Sequence, residues 1–358
     1  MIRENKTVEL FGTIGPACSS QNVLEDMLRE GMTGIRLNLS HSGLKESAGM
    51  LEAFAKAREK TGIHAELLID LQGPELRSGP LAGPLFLHEG DKVRLVSTGH
   101  QEKEDIPLPD EVLRAVRAGD HILLDDAGME LIACGDADVV KACDAAGDVL
   151  ALPGTVLRGG TLGSRKTVRI PERDIRMPVL TSEDIRNLHE AGKYGVTAVM
   201  QPFVTSGKDL SDVRSVLARN SLVSARVFAK IENRRGAAAL EDIAEYADMI
   251  VIARGDLGSD VPLWELPAVQ KDIAARCRKM NKPFLVVTQM LTSMIINPVP
   301  TRAEVSDIFN AVGDGASALM VTNETAVGSC PAQVIRYLKR TAETAVRFYA
   351  GAVPAFRA

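Results

Sequence analysis

The chain has 358 residues, 45% hydrophobic and 25% charged, with 42 basic against 47 acidic side chains and a formal net charge of −5. That length fits one large barrel with an insert or two ordinary domains, and the mild acidity argues against a nucleic-acid partner, which calls for a basic face. No apolar run approaches the roughly 20 residues of a membrane helix, the polar start Met1 to Lys6 carries no secretory signal, and the scattered Cys18, Cys134, Cys143, Cys277 and Cys330 read as reduced, buried thiols of a cytoplasmic protein.

Eight apolar, β-branched runs read as strands: Val8–Gly12, Gly34–Asn38, Ala65–Asp70, Thr197–Gln201, Arg226–Lys230, Met249–Ala253, Phe284–Thr288 and Ala318–Thr322. Helical patterns follow most of them, as in Val23, Leu24, Met27 and Leu28, ended by Gly31. Eight β/α units predict an α/β protein of the (β/α)8 TIM barrel type, with its active site at the C-terminal ends of the strands. A doubly wound open sheet is the structural rival. The third and fourth runs lie more than a hundred residues apart, too far for one crossover. Between them are short β-rich pieces, Lys92–Val96 and His121–Leu124, and turns at Gly90-Asp91, Gly119-Asp120 and Gly147-Asp148. The expected organisation is a barrel over residues 1–78 and 170–350, a small β domain inserted after the third strand at 79–169, and a tail at 351–358. Gly159, Gly160 and Pro171 read as hinge material, and a domain hung over a barrel mouth reads as a lid.

Lys230-Ile-Glu-Asn233 and Ala253-Arg-Gly-Asp-Leu-Gly258 carry most of the chemistry. Each follows an apolar strand, so Lys230, Glu232 and Asp256 stand where a core would not want charge. One cation and two carboxylates at a shared mouth suit a divalent metal and a phosphate or enolate. Arg36, in the second strand, offers a planar fork for a further phosphate contact. Asp256 to Gly258 lead into Val261-Pro-Leu-Trp-Glu265, read as a helix start whose N–H groups suit a carboxylate or phosphate. Thr301-Arg-Ala-Glu304 reads as a capping box, its approach stiffened by Pro298 and Pro300.

The order of motifs resembles the pyruvate kinase family. Thr13-Ile-Gly-Pro16, Arg36-Leu-Asn-Leu-Ser-His41, Asp70-Leu-Gln-Gly-Pro-Glu-Leu-Arg77, Leu124-Asp-Asp126 and Gly163-Ser-Arg-Lys166 come first. The two segments above, Thr288-Gln-Met-Leu291, Asn297 to Glu304 and Glu324-Thr-Ala326 follow, so that the likeness spans about Lys6 to Tyr349. It implies phosphoryl transfer from phosphoenolpyruvate to ADP, giving pyruvate and ATP. By this resemblance Glu232 and Asp256 hold Mg2+ (or Mn2+), Lys230 neutralises the phosphoryl group, and the loop of Gly255 and Asp256 holds the substrate carboxylate. Thr288 lies beside the methylene during protonation of the enolate, as a positioning group. Asn38, Ser40, Asp70 and the carbonyl of Leu71 form a K+ site, and Glu75 goes with K+ dependence. Arg77 contacts phosphate or Glu75. Arg36, His41 and Lys166 reach the nucleotide, and Asp126 lies near the closed-lid site; His41, Lys166 and Asp126 also fit as solvated loop residues.

The sequence departs from the family at Pro202, Thr205, Ala127, Thr167, Arg169, Glu172 and the pair Thr322-Asn323, where Ser-Gly is usual. These changes bear on lid closure and on the substrate's methylene end. The family continues into a C-terminal domain with an effector site, so a homo-oligomer, a dimer through the barrel, is expected instead of a tetramer. The alternatives are a paralogue acting on a related phosphoenol compound, a metal-dependent 2-oxo acid lyase on a similar barrel, and a non-catalytic phosphoenolpyruvate sensor.

Overall fold

The computed structural model describes residues 7–351 apart from 41, 75, 126, 141–148, 172, 174, 176 and 177. Eight strands close a parallel barrel: β1 Glu9–Thr13, β2 Gly34–Asn38, β3 Glu66–Asp70, β4 Ala198–Gln201, β5 Arg226–Ile231, β6 Met249–Ala253, β7 Phe284–Val287 and β8 Ala318–Met320. Each pairs in parallel with its chain neighbour, and β8 returns to β1. The expected runs become strands with shifts of at most two residues at their ends. Gly31, at φ +108, follows the Gln21–Arg29 helix, and this left-handed turn is one that glycine adopts without strain.

The period-two alternation of strand side chains stacks the barrel interior in layers. At the N-terminal end, Arg226 Nη1 lies 2.9 Å from both Glu9 Oε2 and Glu66 Oε2. Its guanidinium also sits 4.8 Å over the Phe228 ring. Two residues further along the same strands come Phe11, Leu68 and Phe228, all buried, with the two phenyl rings edge to face at 5.9 Å. A Cβ on Gly34 would stand 2.3 Å from the Phe11 ring, so the barrel needs glycine there. Two residues further again, the same strands reach Thr13, Asp70 and Lys230. The polar site is thus the top layer of the same stack.

The chain divides into two compact units, Met1–Gly73 with Val179–Ala358 and Pro74–Pro178, slightly wider for the insert than the sequence-based limits. In the barrel unit, Asp184 ties both sides of the break. Its carboxylate accepts Gln72 N at 2.8 Å, Gly73 N at 3.0 Å and Thr181 N at 2.9 Å. Asp184 also completes the capping box of the Ser182–Glu190 helix.

The insert has its own core, including Leu95, Ile106, Leu113, Ile122, Leu131 and Leu152. Its main sheet runs Val168–Arg169, His121–Leu124, Met129–Ala133, Val149–Arg158, Lys92–Ser97 and Ile106–Leu108, with Asp138–Val140 paired to Val149–Arg158. A second sheet pairs Leu85–Leu87 with Gly160–Leu162. Gly90 (φ +90) and Gly119 (φ +89) make the expected turns, while Gly147-Asp148 lies outside the described residues. Gly159 and Gly160 correct the hinge reading. They sit at the junction of two strands, where a Cβ on Gly159 would stand 2.2 Å from the Leu87 carbonyl oxygen. Cys18 and Cys277 are buried as expected and Cys330 is partly buried, but Cys134, just past the strand end at Ala133, is exposed. Cys143 lies outside the described residues. Among the described residues, no helix is long and apolar enough to cross a membrane.

Candidate active site

The C-terminal layer of β2, β3 and β5 builds a compact charge cluster. Lys230 Nζ stands 2.9 Å from Glu232 Oε1 and 3.5 Å from Asp70 Oδ2. Arg36 donates to the same Asp70 Oδ2 from Nε at 2.9 Å and Nη2 at 2.5 Å, and its Nη1 reaches Thr13 Oγ1 at 3.4 Å. Glu232 Oε2 accepts the Phe203 N–H at 2.7 Å. Asn233 ends the segment by capping the Arg234–Ala238 helix, its Oδ1 accepting Gly236 N at 2.7 Å. The motif therefore gives one strand a cation, a carboxylate and a helix cap in four residues.

Burial pulls the Lys230 ammonium down, but Asp70 and Glu232 together hold it above its ordinary value. Burial pushes Glu232 up to about 7, with the Asp256 charge adding to the rise and Lys230 opposing it. Lys230 is thus the fixed charge at neutral pH.

One buried carboxylate oxygen, Asp70 Oδ1, has no hydrogen-bond donor among the described residues, whereas Glu232 Oε1 is met by the Lys230 ammonium at 2.9 Å. An orphaned oxygen is costly in a protein interior unless a cation or water meets it. Glu232 with Asp256 offers hard oxygen donors of the kind Mg2+ takes, one or two carboxylates with the rest from substrate and water. Among the described residues, no three His, Cys, Asp or Glu side chains gather into a metal cage. That donor set fits a shared protein–substrate ion. Asn38 and Asp70 face each other across the β2–β3 ladder, and the Asn38 side chain accepts Ser40 N at 3.1 Å. Their oxygens, with the orphaned Asp70 Oδ1, fit a monovalent cation.

Asp256 lies in the first turn of the Arg254–Asp260 helix, which begins directly at the end of β6. This corrects the expected helix start at Val261. Val261 instead accepts its place as the C-cap of that helix, and the next one begins at Leu266. The early start brings Gly255 against Thr288, where a Cβ would stand 3.2 Å from Thr288 Cγ2. Thr288, just beyond β7, has φ +81. A β-branched residue is strained there by about 1–3 kcal/mol. Arg254 donates to the Thr288 carbonyl from Nη2 at 2.7 Å and Nε at 3.2 Å.

The structure brings Lys230, Glu232, Asp70 and Arg36 into one cluster and joins Gly255 to Thr288. Buried Leu71 follows β3, its N–H bonded to the Met200 carbonyl at 3.0 Å. Arg77 and Lys166 belong to the β domain. There Arg77 Nη1 donates to the Arg165 carbonyl at 2.8 Å, and Lys166 Nζ pairs with Asp125 at 2.9 Å. His41, Glu75 and Asp126 lie outside the described residues. Sequence reasoning assigned no role to Arg254, Phe203 or Asp184. Thr181-Ser-Glu-Asp184 had the capping-box spacing that points to Asp184, whereas the Phe203 N–H carries no side-chain signal at all. Glu324 was quoted only within a motif. It is buried and accepts Thr322 N at 2.7 Å and Leu291 N at 3.1 Å, bracing the loop after β7.

The family profile described as pyruvate kinase, barrel domain, matches residues 5–335. Pyruvate kinases of Aeropyrum pernix, Staphylococcus haemolyticus and Geobacillus stearothermophilus are 37%, 34% and 35% identical to it, over 97%, 95% and 94% of this chain. The chain spans 72%, 57% and 56% of their respective lengths. With a barrel that carries the motif residues at its C-terminal mouth, and with relatives of this similarity over nearly its whole length, the chain belongs to the pyruvate kinase family of phosphotransferases.

Proposed function

We propose that the protein transfers the phosphoryl group of phosphoenolpyruvate to ADP, giving pyruvate and ATP. The observation that carries this reading is Lys230 held between Asp70 and Glu232 at the barrel mouth, with Arg36 on the far side of Asp70. In the reaction the bond from phosphorus to the C2 oxygen breaks, a bond to a β-phosphate oxygen of ADP forms, and the enolate left behind takes a proton at C3. Lys230, kept charged by its two carboxylates, neutralises the phosphoryl group in flight. Arg36 adds a second positive charge and is itself oriented by Asp70. Thr288 holds its hydroxyl beside the Asp256 turn as a positioning group for the C3 end, since a hydroxyl is a poor acid alone. Glu232 and Asp256 would hold Mg2+ or Mn2+, and Asn38, Ser40, Asp70 and the Leu71 carbonyl K+, supplying positive charge that polarises the phosphoryl and enolate oxygens.

The nucleotide contacts assigned to Arg36, His41 and Lys166, and the substrate contact of Arg77, are part of the same proposal, as is a place in glycolysis. A cytoplasmic setting agrees with the mildly acidic composition and scattered cysteines. A homo-oligomer, a dimer through the barrel, belongs to the same proposal.

The test is ATP formation from phosphoenolpyruvate and ADP with Mg2+, with and without K+. Turnover that needs K+ is expected. Turnover independent of K+ would keep the enzyme and remove the roles of Asn38, Ser40, Asp70 and Glu75 in cation binding. Folded protein without turnover in either condition would point to another phosphoenol substrate.

A further inference from the structure

We infer that Arg254 is a positioning residue for protonation of the enolate, acting on Thr288 through its backbone carbonyl. This inference rests on the phosphoenolpyruvate reading above. Thr288 and Gln289 stand at φ +81 and φ +55, so the chain leaves β7 through two successive left-handed residues, neither a glycine. That turn needs an outside anchor. Arg254 supplies it with two donors on one oxygen, Nη2 at 2.7 Å and Nε at 3.2 Å.

The guanidinium is itself held on its other edge. Nη1 lies 2.7 Å from Asp307 Oδ2 and 2.9 Å from Asp307 Oδ1, on the Arg302–Gly313 helix, and 3.4 Å from Gln270 Oε1 on the Leu266–Lys279 helix. Arg254 also opens the helix that carries Asp256, and the next residue, Gly255, packs on the Thr288 side chain. One largely buried side chain therefore locks the metal-ligand turn and the Thr288 turn to each other and to two outer helices. Lysine cannot replace it, because a single ammonium lacks the planar fork that serves a carbonyl and a carboxylate at once.

The step affected is the second half of the reaction. After the phosphoryl group has left, the electrons of the C2–C3 double bond take a proton from water at C3, the hydroxide left is neutralised by a proton from bulk solvent, and the C2 oxygen becomes the ketone oxygen. Thr288, fixed by Arg254, aims that water.

The experiment is steady-state kinetics of Arg254→Lys on the full chain in H2O and in D2O, at saturating Mg2+ and K+. We expect kcat to fall about tenfold or more, as misplaced reacting groups do, with KM for phosphoenolpyruvate within about twofold. The solvent isotope effect on kcat should rise, because protonation becomes slower than phosphoryl transfer. In a Thr288→Ala background, Arg254→Lys should cost nothing further, since both act on one step. A wild-type kcat, a lower kcat with an unchanged isotope effect, or additive losses would overturn the inference. If circular dichroism shows Arg254→Lys unfolded, Asp307→Asn, which keeps the guanidinium but frees its anchor, must give the same split, and wild-type kinetics there would overturn it equally. A wild-type protein without turnover removes the phosphoenolpyruvate reading itself, a result distinct from an active enzyme indifferent to Arg254.

Discussion

Lys230 is the residue whose environment is most constrained. It lies 15% exposed with two carboxylates on it, and its charge survives burial because their attraction exceeds the cost of leaving water. Lys230→Met is expected to lower kcat about 10²–10³-fold, the usual cost of losing one preorganised electrostatic contact. Far-UV circular dichroism should stay unchanged, while the melting temperature falls because Asp70 and Glu232 lose their shared counter-charge. Substantial residual turnover would remove Lys230 from its assigned role. The part of this cluster legible in the sequence was its composition, charges at the ends of apolar strands. Its pairing was not, since Asp70 is 160 positions from Lys230 and meets it only through barrel closure.

At the scale of elements, the β domain depends on a polar tie as well as its apolar core. Asp120 accepts Arg173 Nε at 2.6 Å, Arg173 Nη2 at 2.9 Å and Arg117 N at 2.8 Å. Hydrogen bonding to Arg173 holds its carboxyl below the ordinary carboxylate value, against the opposing effect of burial. A depressed folded-state pKa contributes stability above the unfolded value, near pH 4, and that stability disappears as pH falls through the folded pKa. The melting temperature of wild-type protein should therefore drop below about pH 4, and Asp120→Asn should flatten that part of the profile while lowering stability at pH 7. An Asn variant with an unchanged acid limb would show that Asp120 does not carry it. Gly119-Asp120 was readable as a turn from its dipeptide. The ion pair was not, because Arg173 lies 53 positions further along the chain and carries no local signal.

The whole molecule separates stability from chemistry along its strands. Arg226 and Lys230 occupy one strand and one face, yet the first plugs the N-terminal end of the barrel and the second lines the C-terminal mouth. Arg226→Leu leaves Glu9 and Glu66 facing each other, with burial already raising Glu66 above its ordinary value. The partial exposure of the triad reduces the penalty of a broken buried ion pair, so the expected loss is about 2 kcal/mol by denaturant titration. Values of kcat and KM should be those of the wild type. A severalfold change in either would mean that the two ends of the barrel are coupled.

By itself the sequence determined the eight-strand repeat, the inserted β domain after the third strand, and the charged residues in the C-terminal parts of β3 and β5 and within β2. Strand periodicity and strand-end charge are local properties, legible within a few residues of chain. Only the tertiary structure decided which distant residues share an environment: Glu9, Glu66 and Arg226 at one end, Arg36, Asp70, Lys230 and Glu232 at the other. It also decided that the Asp256 helix begins at Arg254, so that one side chain reaches the Thr288 carbonyl. Those contacts follow from closing the sheet in a fixed register, and register is a property of the paired strands together, not of any one of them.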